Sequence, residues 1–424
     1  MKRLKFSFLA LLCLFSLISI QSCKSEDVDI EGPVQFKEIG GVSYMLNENE
    51  VSVVSAKNAD EISILPYVNF NGYDYVVTKI LKDAFKNNTV KQLYIPSTIY
   101  TVESDAFLNT EIEKLYIDNL YYWCNIIFYS TADFYNQKLE CNSNPIQKGT
   151  KLFIGGKPVN NIEIPDRVNN IKSWAFQNLS CDSVTLNFSL QSISSEAFLN
   201  SSLKNIVLSH GNYTSVEYIA QDAFKGCENL RNLIILPGSI YQGNDFYMNA
   251  NYPDQIENVF VSSLDAFLDI RFKYLNDNGE PTQHPLPFSF NIFVDNKKLE
   301  DVKVAGRYYI NNLSFSGSSI KSFTATPPLD RVNFEAFSYC RELESIVLPS
   351  SLEKISCSFR GCNKLKYIEL NSVNPPAIGE EMEKFGITLD ENVVSNCILY
   401  VPAESVELYK KNFWWGRFRN IIGK

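Results

Sequence analysis

Histidine is nearly missing from this chain: His210 and His284 are the only two in 424 residues. Chemistry that leans on several imidazoles, for metal ligation or proton transfer, is short of its usual group. His210 lies in Ser209-His210-Gly211-Asn212, a turn by composition. His284 precedes Pro285 in a polar loop, so neither reads as a general base. No CxxC pair occurs, which removes the commonest zinc spacing. No GxGxxG, Walker A loop, HExxH or GxSxG is present either. Positive charge is scarce: 39 Lys and Arg face 48 Asp and Glu, a formal net charge of −9. A phosphate backbone needs a basic face, so nucleic acid is not expected as a partner. Beyond the N-terminus no apolar run reaches about 18 residues, so no later helix is expected to span a bilayer.

What the chain has is apolar and aromatic mass. It is 45% hydrophobic and 13% aromatic, enough to bury a large core and to exclude general disorder. Its first apolar run, Phe6 to Ile20 behind Lys2, Arg3 and Lys5, is short for a membrane span and suits a signal peptide. Ile20-Gln21-Ser22-Cys23 resembles the bacterial lipoprotein processing box. The resemblance implies that Cys23 becomes the first mature residue and carries acyl chains. Several chains give stable anchoring where one is marginal, at about 0.8 kcal/mol per buried methylene. Lys24-Ser25-Glu26-Asp27 resembles the acidic signal that sends some lipoproteins to the outer face of the outer membrane. The expected location is therefore the bacterial outer membrane, lipid-anchored and facing the exterior.

The dominant pattern is a repeat of 22 residues. Phe337, Cys340, Leu343, Ile346 and Leu348 recur one period later as Phe359, Cys362, Leu365, Ile368 and Leu370. A period of 20 to 29 residues with such Leu/Ile steps signals a leucine-rich-repeat solenoid. Ala84-Phe85, Ala106-Phe107, Ala175-Phe176, Ala197-Phe198, Ala223-Phe224 and Ala336-Phe337 share one dipeptide, with Ser358-Phe359 a variant. The gap from Phe107 to Phe176 is close to three periods, and that from Phe224 to Phe337 close to five. Ser345-Ile346-Val347-Leu348 alternates like a half-buried strand, which Pro349 ends. A turn returns Leu352 and Ile355 inward, and a tight helical turn is expected to carry the Phe. About 14 to 16 coils at 4.8 Å would span roughly 70 Å.

Two longer units interrupt the array. Leu115 to Phe128 aligns with Val259 to Phe272, which places Trp123 opposite Phe267 and both in the core. Asn144-Pro145-Ile146 then matches His284-Pro285-Leu286. Gly155-Gly156 and Asp295-Asn296 follow as two-residue hairpin turn signals. Cys227, Cys340 and Cys362 recur three residues after a Phe, which reads as a small buried thiol. Cys13 would leave with the signal, and the state of Cys124, Cys141, Cys181, Cys357 and Cys397 is left open.

These residues resemble the BspA-like leucine-rich-repeat family of bacterial surface antigens, over about residues 36 to 424. The shared motif is Ala-Phe-x-x-Cys-x-x-Leu-x-x-Ile-x-Leu-Pro. The stretch from Tyr241 to Asn258 departs from it. The expected organisation is a lipoprotein signal peptide at 1–22, a flexible tether at 23–35, an N-terminal β cap at 36–77 and a solenoid at 78–395. Hairpin-bearing inserts fall near 118–160 and 262–300, and a strand-helix cap with Trp414-Trp415 at 396–424.

The resemblance implies surface binding: adhesion to a host protein, to matrix or to other cells. A glycan-binding or glycan-degrading accessory lipoprotein and an envelope scaffold are the alternatives. No catalytic residue, cofactor or metal is expected, and the chain is expected to be a monomer. The acidic run Glu380-Glu381 with Glu383 reads as a solvated loop. Tyr121 and Tyr122 are the candidate ligand contacts, since exposed aromatics anchor interfaces. The lipid reading predicts that Cys23→Ser releases the full chain from the membrane fraction of expressing cells. Fractionation with acyl-label incorporation checks this, and a Cys23→Ser chain that stays acylated and membrane-bound would contradict it.

Overall fold

The structure, a computed structural model, describes residues 34–133, 138–208, 216–236, 246–248, 252–273, 279 and 284–424. The signal segment, Cys13, Cys23, most of the tether and His210 lie outside the described residues, as does much of the aberrant stretch from Tyr241. Among the described residues no helix is long and apolar enough to cross a membrane.

The chain winds as a β-solenoid of about 14 turns with few helices. Most coils lay one strand on a long parallel ladder and a two-residue strand on a short one. The long strands show why. In Ser183–Leu186, Asn205–Leu208, Asn232–Ile235, Ser345–Leu348 and Tyr367–Leu370 the second and fourth residues are buried and the first and third half-buried. Those buried places hold Val, Ile or Leu, so the period-2 pattern points one face inward. Three long strands separate Phe107 from Phe176: Glu111–Ile117, Lys151–Ile154 and Asn161–Glu163. Five separate Phe224 from Phe337. The spacing counts from sequence therefore hold.

The corner that carries the phenylalanine is not helical. At six corners the residues two before and two after it are left-handed, as with Asp83 and Asn87 around Phe85, Glu196 and Asn200 around Phe198, and Glu335 and Tyr339 around Phe337. Phe224 keeps only Gly226, and the last corner has Phe359 itself with Gly361. Asn and Gly dominate the second place (Asn87, Asn109, Asn178, Asn200, Gly226, Gly317, Gly361), where the left-handed region costs them least. A helical turn would direct its N–H groups along its own chain. Here they reach the next coil: Phe85 N–H donates to the Ala106 carbonyl (2.8 Å) and Asn87 N–H to Leu108 (2.9 Å). The same pair recurs at Phe176 and Asn178 and at Phe315 and Gly317, so the corners form a third ladder.

Inside that corner the rings stack. Phe85 and Phe107 lie 4.8 Å apart, Phe176 and Phe198 5.2 Å, and Phe198 and Phe224 5.0 Å. The cysteine three residues on has a clear task. Cys227, Cys340 and Cys362 give their thiol to the carbonyl of the preceding coil's phenylalanine, at 3.0, 2.9 and 3.0 Å. Thr110 does the same with its hydroxyl at 2.8 Å. All eight cysteines of the described residues are free. Burial pushes the Cys340 thiol up to about 12 and holds it as an uncharged donor.

The inserts cut the sheet without cutting the core. The turns Gly155-Gly156 and Asp295-Asn296 have positive φ throughout, as two-residue hairpins need. Their return strands, Lys157–Pro158 and Lys297–Lys298, pair antiparallel with the last rung, and the next rung begins a new sheet. Three long-ladder sheets result, while one apolar cluster runs from Val42 to Phe418. Trp123 and Phe267 are both buried in it, and Trp123 Nε1 donates to the Ala175 carbonyl at 2.8 Å.

The ends are covered differently. Gln35–Ile39, Val42–Asn47 and Glu50–Ala56 form an antiparallel meander, and Ala59–Ser63 is the first rung of the long ladder. At the other end the helix Val406–Lys411 buries Tyr409, while Trp415 is buried and donates Nε1 to the Pro376 carbonyl (2.8 Å). The acidic run read as a loop is the short helix Glu380–Lys384, because Met382 finds a buried place beneath it.

Phe198, stacked on both sides, tests the column. Phe198→Ala is expected to cost about 3–5 kcal/mol by transfer and cavity terms together. Phe413→Ala, at a residue 80% exposed, should cost no more than about 0.5 kcal/mol. Urea unfolding followed by circular dichroism compares the two.

Candidate functional site

The long ladder has an outer face, and its two outward rows differ sharply. The first row of the middle sheet is Asn161, Ser183, Asn205, Asn232, Asn258 and Asn291 in register. Four of these amides join head to tail. Asn232 Nδ2 donates to Asn205 Oδ1 (2.9 Å), Asn258 to Asn232 (2.9 Å) and Asn291 to Asn258 (3.0 Å). Ser319 Oγ extends the chain by donating to Asn291 Oδ1 at 2.8 Å. Stacked parallel strands favour such amide ladders, and each bond polarises the next.

The second outward row is polar and charged in the C-terminal sheet, at Lys303, Thr324 and Glu369, but carries apolar runs in the other two. In the middle sheet exposed Glu163 and then Thr185 lead into Val207, Ile234, Phe260 and Phe293, the last four half-buried. Phe260 and Phe293 stack at 4.7 Å. In the N-terminal sheet the same row holds Tyr94, Tyr116 and Phe153, stacked at 4.3 and 4.6 Å. Their faces cover one another, and the Tyr116 hydroxyl donates to Gln92 Oε1 at 3.1 Å. Sequence reasoning missed both rows. The available signal was an Asn or an aromatic at one fixed strand place, as in Asn258-Val259-Phe260-Val261 and Asn291-Ile292-Phe293-Val294.

Tyr121 and Tyr122 lie elsewhere. They sit on the helix Leu120–Asn125, started by Asn119, whose side chain accepts from Tyr122 N–H. They are 38% and 47% exposed and meet edge to face at 5.1 Å. This helix connects the two ladders, so the pair stands apart from the outward rows.

His284 is a structural group. Leu286 N–H donates to its Nδ1 (3.1 Å), which leaves the proton on Nε2 to donate to the Leu313 carbonyl (3.1 Å). Asn144, its counterpart, accepts from Ile146 N–H (2.7 Å) and donates to the Trp174 carbonyl (2.7 Å). Trp174 and Leu313 each stand two residues before a column phenylalanine, so one bridge is built twice from two residue types.

A cleft of about 730 Å³ opens beside the corner column where Phe224, Tyr252 and Leu286 succeed one another. Asp254 is the one carboxylate in its described lining, whereas glycoside hydrolysis needs two. Among the described residues no cluster of three or more His, Cys, Asp or Glu is placed to hold a metal.

Burial lowers His284 to about 4, below its unfolded value of about 6.5. Below pH 6.5 the unfolded chain takes up a proton that the folded chain refuses. Stability carried by this group is therefore whole above pH 6.5 and lost as pH falls toward 4, by up to about 3 kcal/mol. His284→Asn, which copies Asn144, should flatten that part of the profile. Urea midpoints of both chains at pH 7 and pH 4.5 measure it.

A family model described as BspA type leucine rich repeat region matches six copies, over residues 64–154, 149–268 and 288–393. No curated protein matches. Among solved structures, a leucine rich cell surface protein of Faecalibacterium prausnitzii A2-165 is 19% identical with a TM-score of 0.33, covering 85% of this chain and 99% of that one. A leucine-rich repeat protein of Bacteroides ovatus ATCC 8483 is 18% identical with a TM-score of 0.35, covering 92% and 99%. The pneumococcal vaccine antigen PcpA is 13% identical with a TM-score of 0.29, covering 92% and 98%. With most of its length matched repeat by repeat, the chain belongs to the BspA type leucine-rich-repeat family.

Proposed function

We propose that this protein is a non-catalytic binding protein, lipid-anchored through Cys23 and displayed on the outside of the outer membrane. There it grips a host protein, matrix component or neighbouring cell. The observation that carries the reading is the apolar stretch of the outward row from Val207 to Phe293. Solvated strands place polar side chains outward, and a row of adjacent apolar ones marks an interaction surface. Val207, Ile234, Phe260 and Phe293 form one contiguous stripe, with the asparagine row beside it supplying hydrogen-bonding edges. The stripe is rigid because ladder bonds fix every rung, so a partner orders few side chains on docking. Aromatic residues in such stripes are the usual anchors of an interface.

Ile234→Ser and Phe260→Ser, singly and together, test the face. Each removes an outward cross-strand contact worth about 0.2–1 kcal/mol to the fold, so melting should hardly move. Binding of the purified full chain to a panel of immobilised matrix and serum proteins is expected to weaken at least about tenfold in the double variant. Silence of the native chain across the panel would overturn the adhesion reading. Full binding by the double variant would move docking to another face.

A further inference from the structure

The corner column loses its phenylalanine at two successive places in the middle sheet, Tyr252 and Leu286. The Tyr252 N–H donates to the Pro285 carbonyl (2.8 Å), as column residues do toward the next coil. Three residues on, Gln255 gives its Nε2 to the Phe224 carbonyl (3.3 Å), where other coils use a cysteine. Tyr252 is only 3% exposed, and its hydroxyl has no hydrogen-bond partner. A buried orphan hydroxyl is costly where a phenylalanine would fit, and it asks for a ligand or for another explanation.

Tyr252 lines the cleft of about 730 Å³, a size within the range of about 300–1,000 Å³ typical of small-molecule sites. The lining also includes two exposed rings, Tyr218 at 60% and Phe288 at 44%. Gln221 and Asp254 add polar groups. Lys225, the one lysine or arginine in the described lining, is held by Glu196 at 3.0 Å. Among the described lining residues an anionic ligand would find no unpaired cation. A hydrocarbon would leave Gln221 and Asp254 unmatched. The remaining class presents hydroxyls and apolar C–H faces together without charge.

We propose that this cleft binds a neutral carbohydrate, with a sugar ring laid on Tyr218 or Phe288 and its hydroxyls meeting Gln221 and Asp254. The site is separate from the outer face of the ladder and does not depend on it. One carboxylate in the lining fits retention of the sugar better than its cleavage.

The test uses the full chain in a detergent without a sugar headgroup. It is applied to an array of neutral oligosaccharides of mammalian, plant and bacterial type, and the strongest binder is titrated calorimetrically. Asp254→Ala truncates an exposed side chain, so the fold should hold. Tyr218→Ala changes an exposed ring and provides a second reading. Saturable binding that weakens about tenfold in Asp254→Ala, as loss of one hydrogen bond implies, and at least as much in Tyr218→Ala, supports the site. The array type that responds identifies the source of the sugar. A blank array, or binding that neither variant weakens, overturns it. Ile234→Ser with Phe260→Ser should leave glycan binding intact, so failure at the ladder face and failure at the cleft read out separately.

Discussion

Each coil of this protein leaves both edges of its strands bare until its neighbours arrive, and this one constraint organises the molecule. A two-residue or four-residue strand cannot stand alone in water. Only stacking supplies its hydrogen bonds, so all that repeats along the chain serves contact between one coil and the next. The phenylalanine rings stack, the left-handed corners aim N–H groups forward, and the cysteine thiols reach back to a carbonyl. The asparagine amides add a further chain on the outer face. Placing a tryptophan, leucine or tyrosine in the left-handed region, as at Trp174, Leu313 and Tyr339, costs about 1–2 kcal/mol per residue. Inter-coil bonds such as Leu313 N–H to the Phe334 carbonyl offset that strain.

The same constraint explains the hairpins. A return strand that pairs antiparallel with the last rung occupies the edge the next coil would use. The long ladder therefore stops at Lys157–Pro158 and again at Lys297–Lys298. Continuity is kept by other means. Trp123 crosses to Ala175, and Asn144 and His284 each bridge to the next corner. Both inserts thus replace a missing main-chain ladder with buried side-chain bonds. Residues as unlike as Asn and His can fill one place there because only the acceptor-donor geometry matters.

Much of this was legible in the sequence because burial follows a fixed period. The 22-residue step located the column, the two-residue turn signals located the hairpins, and the alignment of Trp123 with Phe267 placed both in the core. Even Phe315, one period before Phe337 and behind Ser314, could have been found by extending the Ser358-Phe359 variant. What stayed hidden depends on contacts between coils. Asn205, Asn232, Asn258 and Asn291 read locally as turn formers, since asparagine is poor in strands. Their alignment appears only once the rungs are in register. Corner geometry was misread for a similar reason. A Phe flanked by polar residues suits a helical turn locally, whereas the left-handed pair at two places either side is favoured only by the next coil's carbonyls.

Regularity and irregularity then divide the functional surface. A solenoid repeats its outer rows whether or not a partner exists, so a stripe such as Val207 to Phe293 offers breadth rather than a shaped pocket. Selective recognition of a small ligand needs a concavity, and a perfect stack of coils has none. The cleft appears where the stack is imperfect: Tyr252 in the phenylalanine place, Gln255 in the cysteine place and prolines at 253, 285 and 287 in the lining. Tyr252 keeps the backbone bond that the column requires, and Gln255 copies the cysteine's bond with its side chain. The fold can therefore tolerate a gap in its ring column without losing the ladder, and the gap is what turns a scaffold built for stacking into a place where a molecule can be held.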